Sequence, residues 1–127
     1  MCCGVRYTVD GELRPVWNCH CERCRRFTGH HMAASAARSA DLRLDAEETL
    51  AWYEPAYGVF YGFCRRCGAS LFWRTDTRPE AISIAAGTLD QPTGLHTEVA
   101  VWVAEAADYH VRAGGLDEYA RNSSVPD

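Results

Sequence analysis

The residues best equipped for chemistry in this chain are its seven cysteines, and they fall in three groups. Cys19, Cys21 and Cys24 lie within six positions in the stretch NCHCERCRRFTG. Cys64 and Cys67 bracket two arginines in CRRCG, and Cys2 and Cys3 stand side by side before Gly4. A thiolate is both a nucleophile and a soft metal ligand. Two cysteines three apart on a tight turn can point at one ion, and the glycine after Cys67 allows the positive φ such a turn needs. Cys64-x2-Cys67-Gly68 therefore reads as a zinc knuckle, which supplies half of a tetrahedral site.

Two groupings satisfy the ligand count. In one, Cys21-x2-Cys24 joins Cys64-x2-Cys67 in a single zinc ribbon. The 39 intervening residues exceed the usual about 15–20, and Cys2, Cys3 and Cys19 are left over. In the other, Cys2, Cys3, Cys64 and Cys67 close a four-thiolate structural site, while Cys19, Cys21 and Cys24 hold a second zinc. That grouping uses every cysteine. Four protein ligands close a site and contribute folding energy, whereas three leave a position for water or substrate. A histidine can close the gap: His30 and His31 follow Cys24 by six and seven positions. His20, between two ligands, points away from them in extended backbone. Three thiolates on Zn²⁺ leave one negative charge, and Arg23, Arg25 and Arg26 surround them. These arginines balance thiolate charge or, at Arg25 and Arg26, orient the carboxylate of an anionic substrate.

The rest of the chain narrows the classes. Its 127 residues suit one domain over residues 1–127. A net charge of −4 argues against broad, phosphate-driven nucleic-acid binding. No apolar run approaches the about 20 residues of a membrane span. The start, MCCGVRYTVDGELRP, lacks a basic segment followed by an apolar one, so a cytoplasmic location is expected, where thiols stay reduced. Seven cysteines cannot all pair as disulfides.

The elements that must position these thiols read as mostly β. Val5–Val9 alternates and ends at Asp10-Gly11, a hairpin signal. Leu42 and Leu44 mark a short strand. Thr49–Tyr53, Val59–Phe63, Ser70–Arg74 and Ala81–Ala85 follow, and Glu98–Ala104 alternates cleanly. The stretch YGFCRRCGASLFW reads as a hairpin with the knuckle at its tip. Alanine-rich His31–Ala37 leans to strand. Helix is confined to Glu22–Phe27, stopping near Gly29, and a terminal turn at Asp117–Arg121. The polar residues from Asn122 to Asp127 read as a frayed end. Trp17, Phe27, Trp73 and Trp102 are core candidates that can also line a pocket.

Three stretches resemble the glutathione-dependent formaldehyde-activating enzyme family: Cys3-Gly4-Val5-Arg6-Tyr7, Cys19-His20-Cys21-Glu22-Arg23-Cys24-Arg25-Arg26 and Phe63-Cys64-Arg65-Arg66-Cys67-Gly68. The segment Ile82 to Asp90 is similar as well. The resemblance implies an Mss4-like fold of short coiled β-sheets with little helix. It implies structural zinc on the early pair with Cys64 and Cys67, and catalytic-type zinc on Cys19, Cys21 and Cys24. It also implies a carbon–sulfur lyase type of activity on a glutathione-like thiol and formaldehyde or another small aldehyde. The chain departs from the pattern at one place. The family's first pair is C-x-C, whereas Cys2 and Cys3 are adjacent, and consecutive side chains in extended backbone face opposite ways. The same fold also serves in non-catalytic zinc modules that bind protein partners, which is the rival reading.

Overall fold

Runs of aromatic and β-branched residues, cut by Gly, Pro and Asp, become short strands. The computed structural model describes residues 1–122. The strands are β1 (Arg6–Val9), β2 (Val16–Cys19), β3 (Met32–Arg38), β4 (Leu42–Ala46), β5 (Leu50–Ala56), β6 (Val59–Cys64), β7 (Ser70–Thr75), β8 (Ala81–Ala85), β9 (Thr97–Val101) and β10 (Asp117–Glu118). One α-helix, α1 (Glu22–Thr28), accompanies them among the described residues. The protein is thus mainly β with little helix.

Eight strands form one sheet in the order β10-β9-β2-β3-β8-β7-β6-β5, and β1 pairs with β4 in a second, two-stranded sheet. β9 runs parallel to β2 and β10 parallel to β9, while the other pairs are antiparallel. Alternation along the strands gives the large sheet two apolar faces. On one, Ala37, Cys64, Leu71, Phe72, Ile82 and Ile84 are buried, with Tyr7, Val9, Leu42 and Leu44 of the small sheet packed on them. On the other, Met32, Ala34 and Tyr61 pack with Cys24 of α1, flanked by Phe27 and Trp73. Tyr61 and Cys64, three apart in β6, point to opposite faces. The Cys2–Cys64–Cys67 group and the Cys19–Cys21–Cys24 group therefore serve two different cores.

Three sequence expectations need correction, and one strand was not expected at all. Asp10-Gly11 does not turn a hairpin: β1 pairs with the distant β4, and the Asp10 N–H donates to the Asp41 carbonyl at 2.8 Å. Gly11 lies against Asp41, where a Cβ would come within 2.3 Å of a carboxylate oxygen. β2, with only four residues, had no periodic signal, yet it sits inside the sheet between β9 and β3. β9 stops at Val101 because Trp102 takes a left-handed φ of 59°. That turn aims the Trp102 backbone N–H at the Arg121 carbonyl and its indole N–H at Asn122 Oδ1 (2.7 Å). Asp117–Arg121 begins as strand β10 rather than a helical turn, since its register partners are Val99 and Ala100 of β9. The expected frayed end falls, beyond Asn122, outside the described residues.

Candidate metal centres

The sulfurs of Cys19, Cys21 and Cys24 lie within 4.8 Å of one another. Each comes from a different local structure. Cys19 ends β2, which is held on both sides by β3 and β9 through the pairs Cys19 with Met32 and Cys19 with Val101. Cys21 caps α1, its Sγ accepting from the Cys24 N–H at 3.4 Å. Cys24 sits in the first turn of the helix and is buried. Gly29, left-handed at φ 88°, ends the helix by donating to the Arg25 carbonyl. The Glu22 N–H at the helix start is met by Glu105 Oε2 at 2.8 Å.

Three sulfurs this close share charge unequally. Hydrogen bonds from Cys19 and then Cys24 hold the Cys21 thiol far below the usual range, while donating to Cys21, and secondarily Cys24, together with burial, pushes the Cys19 thiol up. A divalent ion with thiolate affinity would displace the protons held among the three sulfurs and make all three ligands. Tyr61, 3% exposed, places its hydroxyl 3.3 Å from Cys24 Sγ. Burial, then the Cys24 charge, keeps the Tyr61 phenol protonated far above its ordinary range.

A second group gathers Cys2, Cys64 and Cys67, again within 4.8 Å. Cys64 and Cys67 sit at the tip of the β6–β7 hairpin, as the sequence suggests. The turn is closed by the Gly68 N–H on the Cys64 carbonyl (2.8 Å), with Gly68 at φ 77°. Cys2 Sγ lies 3.5 Å from Cys64 Sγ. Tetrahedral geometry at a Zn–S length of about 2.3 Å puts sulfurs about 3.8 Å apart, so the spacing fits such an ion. Thr49, 1% exposed, sets its hydroxyl 3.0 Å from Cys64 Sγ. That bond, followed by the Cys67 backbone N–H, lowers the Cys64 thiol to about 6. Cys3 is exposed, adopts a left-handed φ of 62° and is not brought into the group.

The two groups lie in the two separate cores, so Cys21 and Cys24 do not meet Cys64 and Cys67 in a single ribbon. His30 and His31 do not close the Cys19 group either. His31 gathers with His20 and His110, with ligand nitrogens within 4.8 Å of one another. His20 points away from the cysteines flanking it, as its place in the extended chain predicts. Burial, followed by His110 and His31, lowers the His20 imidazole to about 4. Arg26 is exposed and paired with Glu22 at 2.9 Å. Arg25 is half-buried, and its Nε has no hydrogen-bond partner among the described residues. Two concavities, of about 370 and about 710 Å³, have no cysteine in their walls. Tyr61 and Thr49 escape sequence reasoning because each meets its cysteine through the fold, 37 and 15 positions away.

These features define a small, mainly β protein whose cysteine groups are fit to hold metal. The chain belongs to the glutathione-dependent formaldehyde-activating enzyme family, whose model matches residues 1–105. Among solved structures it is similar to a crystal structure of a Rhodobacter sphaeroides protein, at 27% identity and a TM-score of 0.62. The similarity covers 76% of this chain and 93% of that one.

Proposed function

We propose that this protein forms and cleaves the carbon–sulfur bond between a glutathione-like thiol and a small aldehyde, and that it carries two zinc ions per chain. The observation that carries the reading is the three-cysteine set of Cys19, Cys21 and Cys24, which no histidine joins among the described residues. Zinc on these three would supply Lewis acidity at an open fourth position, favouring the thiolate form of an incoming thiol near neutral pH. The thiol sulfur forms a bond to the carbonyl carbon, the C=O π pair moves to oxygen, and the thiol proton ends on that oxygen. The reverse step returns thiol and aldehyde.

The chain's own residues have limited, definable parts in this reading. Cys19 and Cys24 are anchored by β2 and α1, so the set is held by rigid elements. The Tyr61 phenol stays protonated beside Cys24 and is able to donate a hydrogen bond to its sulfur. Arg25, with an unpaired buried Nε, is the better placed of the two arginines to meet a substrate carboxylate, since Arg26 is engaged by Glu22. Cys2, Cys64 and Cys67 take the structural ion.

A second reading, a non-catalytic module for protein partners, is favoured by one observation. Strand β5 is an edge strand of the large sheet and exposes Trp52 and Tyr53, with Tyr57 99% exposed in the following turn. Exchange NMR on mixtures of glutathione and formaldehyde separates the two. The catalytic reading expects zinc-loaded protein to speed interconversion with S-hydroxymethylglutathione, and Cys21→Ala to lose that acceleration. Interconversion no faster than without protein, at two zincs per chain, would overturn it in favour of the module.

A further inference from the structure

Five histidines serve this chain, and four of them converge away from the cysteines. The ring centroids of His20 and His110 are 4.2 Å apart, those of His20 and His31 5.0 Å, and those of His30 and His31 4.4 Å. His110 Nδ1 lies 3.4 Å from His30 Nε2. The residues come from three places: the end of β2 (His20), the loop between α1 and β3 (His30 and His31) and the irregular segment before β10 (His110). His30 and His31 are neighbours in sequence, but His110 joins them only through the fold, 80 positions after His30.

We propose that His20, His31 and His110 form a third metal site, for a divalent late first-row transition ion, with His30 beside it as a further imidazole. Three arguments carry this. The ligand nitrogens of the three already lie within 4.8 Å of one another, and a tetrahedral ion at about 2.0–2.1 Å from each would need them about 3.4 Å apart. Small ring rotations close that difference. His31 Nδ1 is buried without a hydrogen-bond partner among the described residues, and an unpaired buried imidazole nitrogen is costly unless it finds a donor, an acceptor or an ion. The donor set is all imidazole, which suits Zn²⁺, Ni²⁺, Co²⁺ or Cu²⁺ and distinguishes it from the thiolate groups. Arg112 is the cation facing His20, and it is paired with Glu118 at 3.2 Å, which offsets part of its charge.

An ion here would also act as a clasp. His110 belongs to a segment that reaches back over the end of α1, where the Tyr109 hydroxyl donates to the Gly29 carbonyl at 3.3 Å. Binding would fasten that segment to the ends of β2 and β3, on the far side of the backbone that carries Cys19 and Cys21. The site is independent of the thiol–aldehyde reading, because no cysteine takes part.

The test is a Co²⁺ titration of tag-free, full-length protein first given two equivalents of zinc per chain, which the two thiolate groups take in preference to imidazoles. One further Co²⁺ per chain is expected, with d–d absorption but no sulfur-to-cobalt charge-transfer band. His110→Ala, at a half-buried position in an otherwise exposed irregular segment, should weaken that binding by at least about tenfold, and His31→Asn should do the same while leaving the zinc content unchanged. Absence of an additional ion would overturn the proposal. So would an additional ion with a sulfur charge-transfer band, or one whose affinity both histidine variants leave intact.

Discussion

At the residue scale, one backbone angle separates the two adjacent cysteines, and only one of them faces the knuckle. Cys2 reaches Cys64 at 3.5 Å, while Cys3 turns outward at φ 62°. Cys2→Ser should therefore lower metal retention at the knuckle and reduce the urea midpoint, whereas Cys3→Ser should leave both unchanged. Equal effects in zinc counting and urea melts would contradict the placement of Cys2. Gly4 follows for a steric reason. A Cβ at that position would sit 2.2 Å from Thr49 Oγ1, and Thr49 is the hydroxyl that donates to Cys64. Gly4→Ala should cost about 1–3 kcal/mol by overpacking and should raise the Cys64 thiol by displacing its donor. Denaturant titration and the pH dependence of thiol alkylation in metal-free protein read the two effects separately.

At the element scale, the knuckle hairpin and α1 were legible because their signals are local. Cys64-x2-Cys67-Gly68 carries its own turn chemistry, and Gly29 carries its own helix stop. The pairing of β1 with β4 was not legible, because Asp10-Gly11 looks like a two-residue turn until the partner strand is known. That small sheet is fastened by side chains on its outer edge. Thr8 donates to Asp45 at 2.6 Å, and Arg43 pairs with Asp45 at 2.7 Å and with Asp10 at 2.9 Å. The Thr8 hydroxyl first, then Arg43, holds the Asp45 carboxyl below its ordinary value. A carboxylate favoured by the fold stabilises above the unfolded pKa of about 3.9 and loses that contribution as pH falls through the lower folded value. The stability difference between wild type and Asp45→Asn should thus narrow as pH drops from about 5 towards about 3. A difference that stays constant in urea melts across that range would rule the linkage out.

At the scale of the whole molecule, the large sheet separates the two cysteine groups by giving each its own core. One core holds Cys64 among Phe72, Ile84 and Leu71, and the other holds Cys24 against Tyr61 and Met32. Cys64→Ala should then unfold the chain or remove most of its cooperative transition, because a buried ligand anchoring β6, β7 and the N-terminus is lost. Cys21→Ala should retain the transition with a lower midpoint and one metal fewer, since Cys21 lies in a turn at the start of α1. Calorimetry with zinc counting checks both, and equal destabilisation would point to two structural roles.

The sequence by itself determined the residue types, the three cysteine groups, the knuckle turn, most strand positions and the family likeness. These are local properties, written in spacing and alternation. Only the tertiary structure decided which groups meet. It set Cys2 rather than Cys3 at the knuckle, brought Tyr61 and Thr49 to the sulfurs, and carried His110 from a distant segment to His20 and His31. Such meetings depend on strand order and on which face of a sheet each side chain takes, and sequence spacing carries neither.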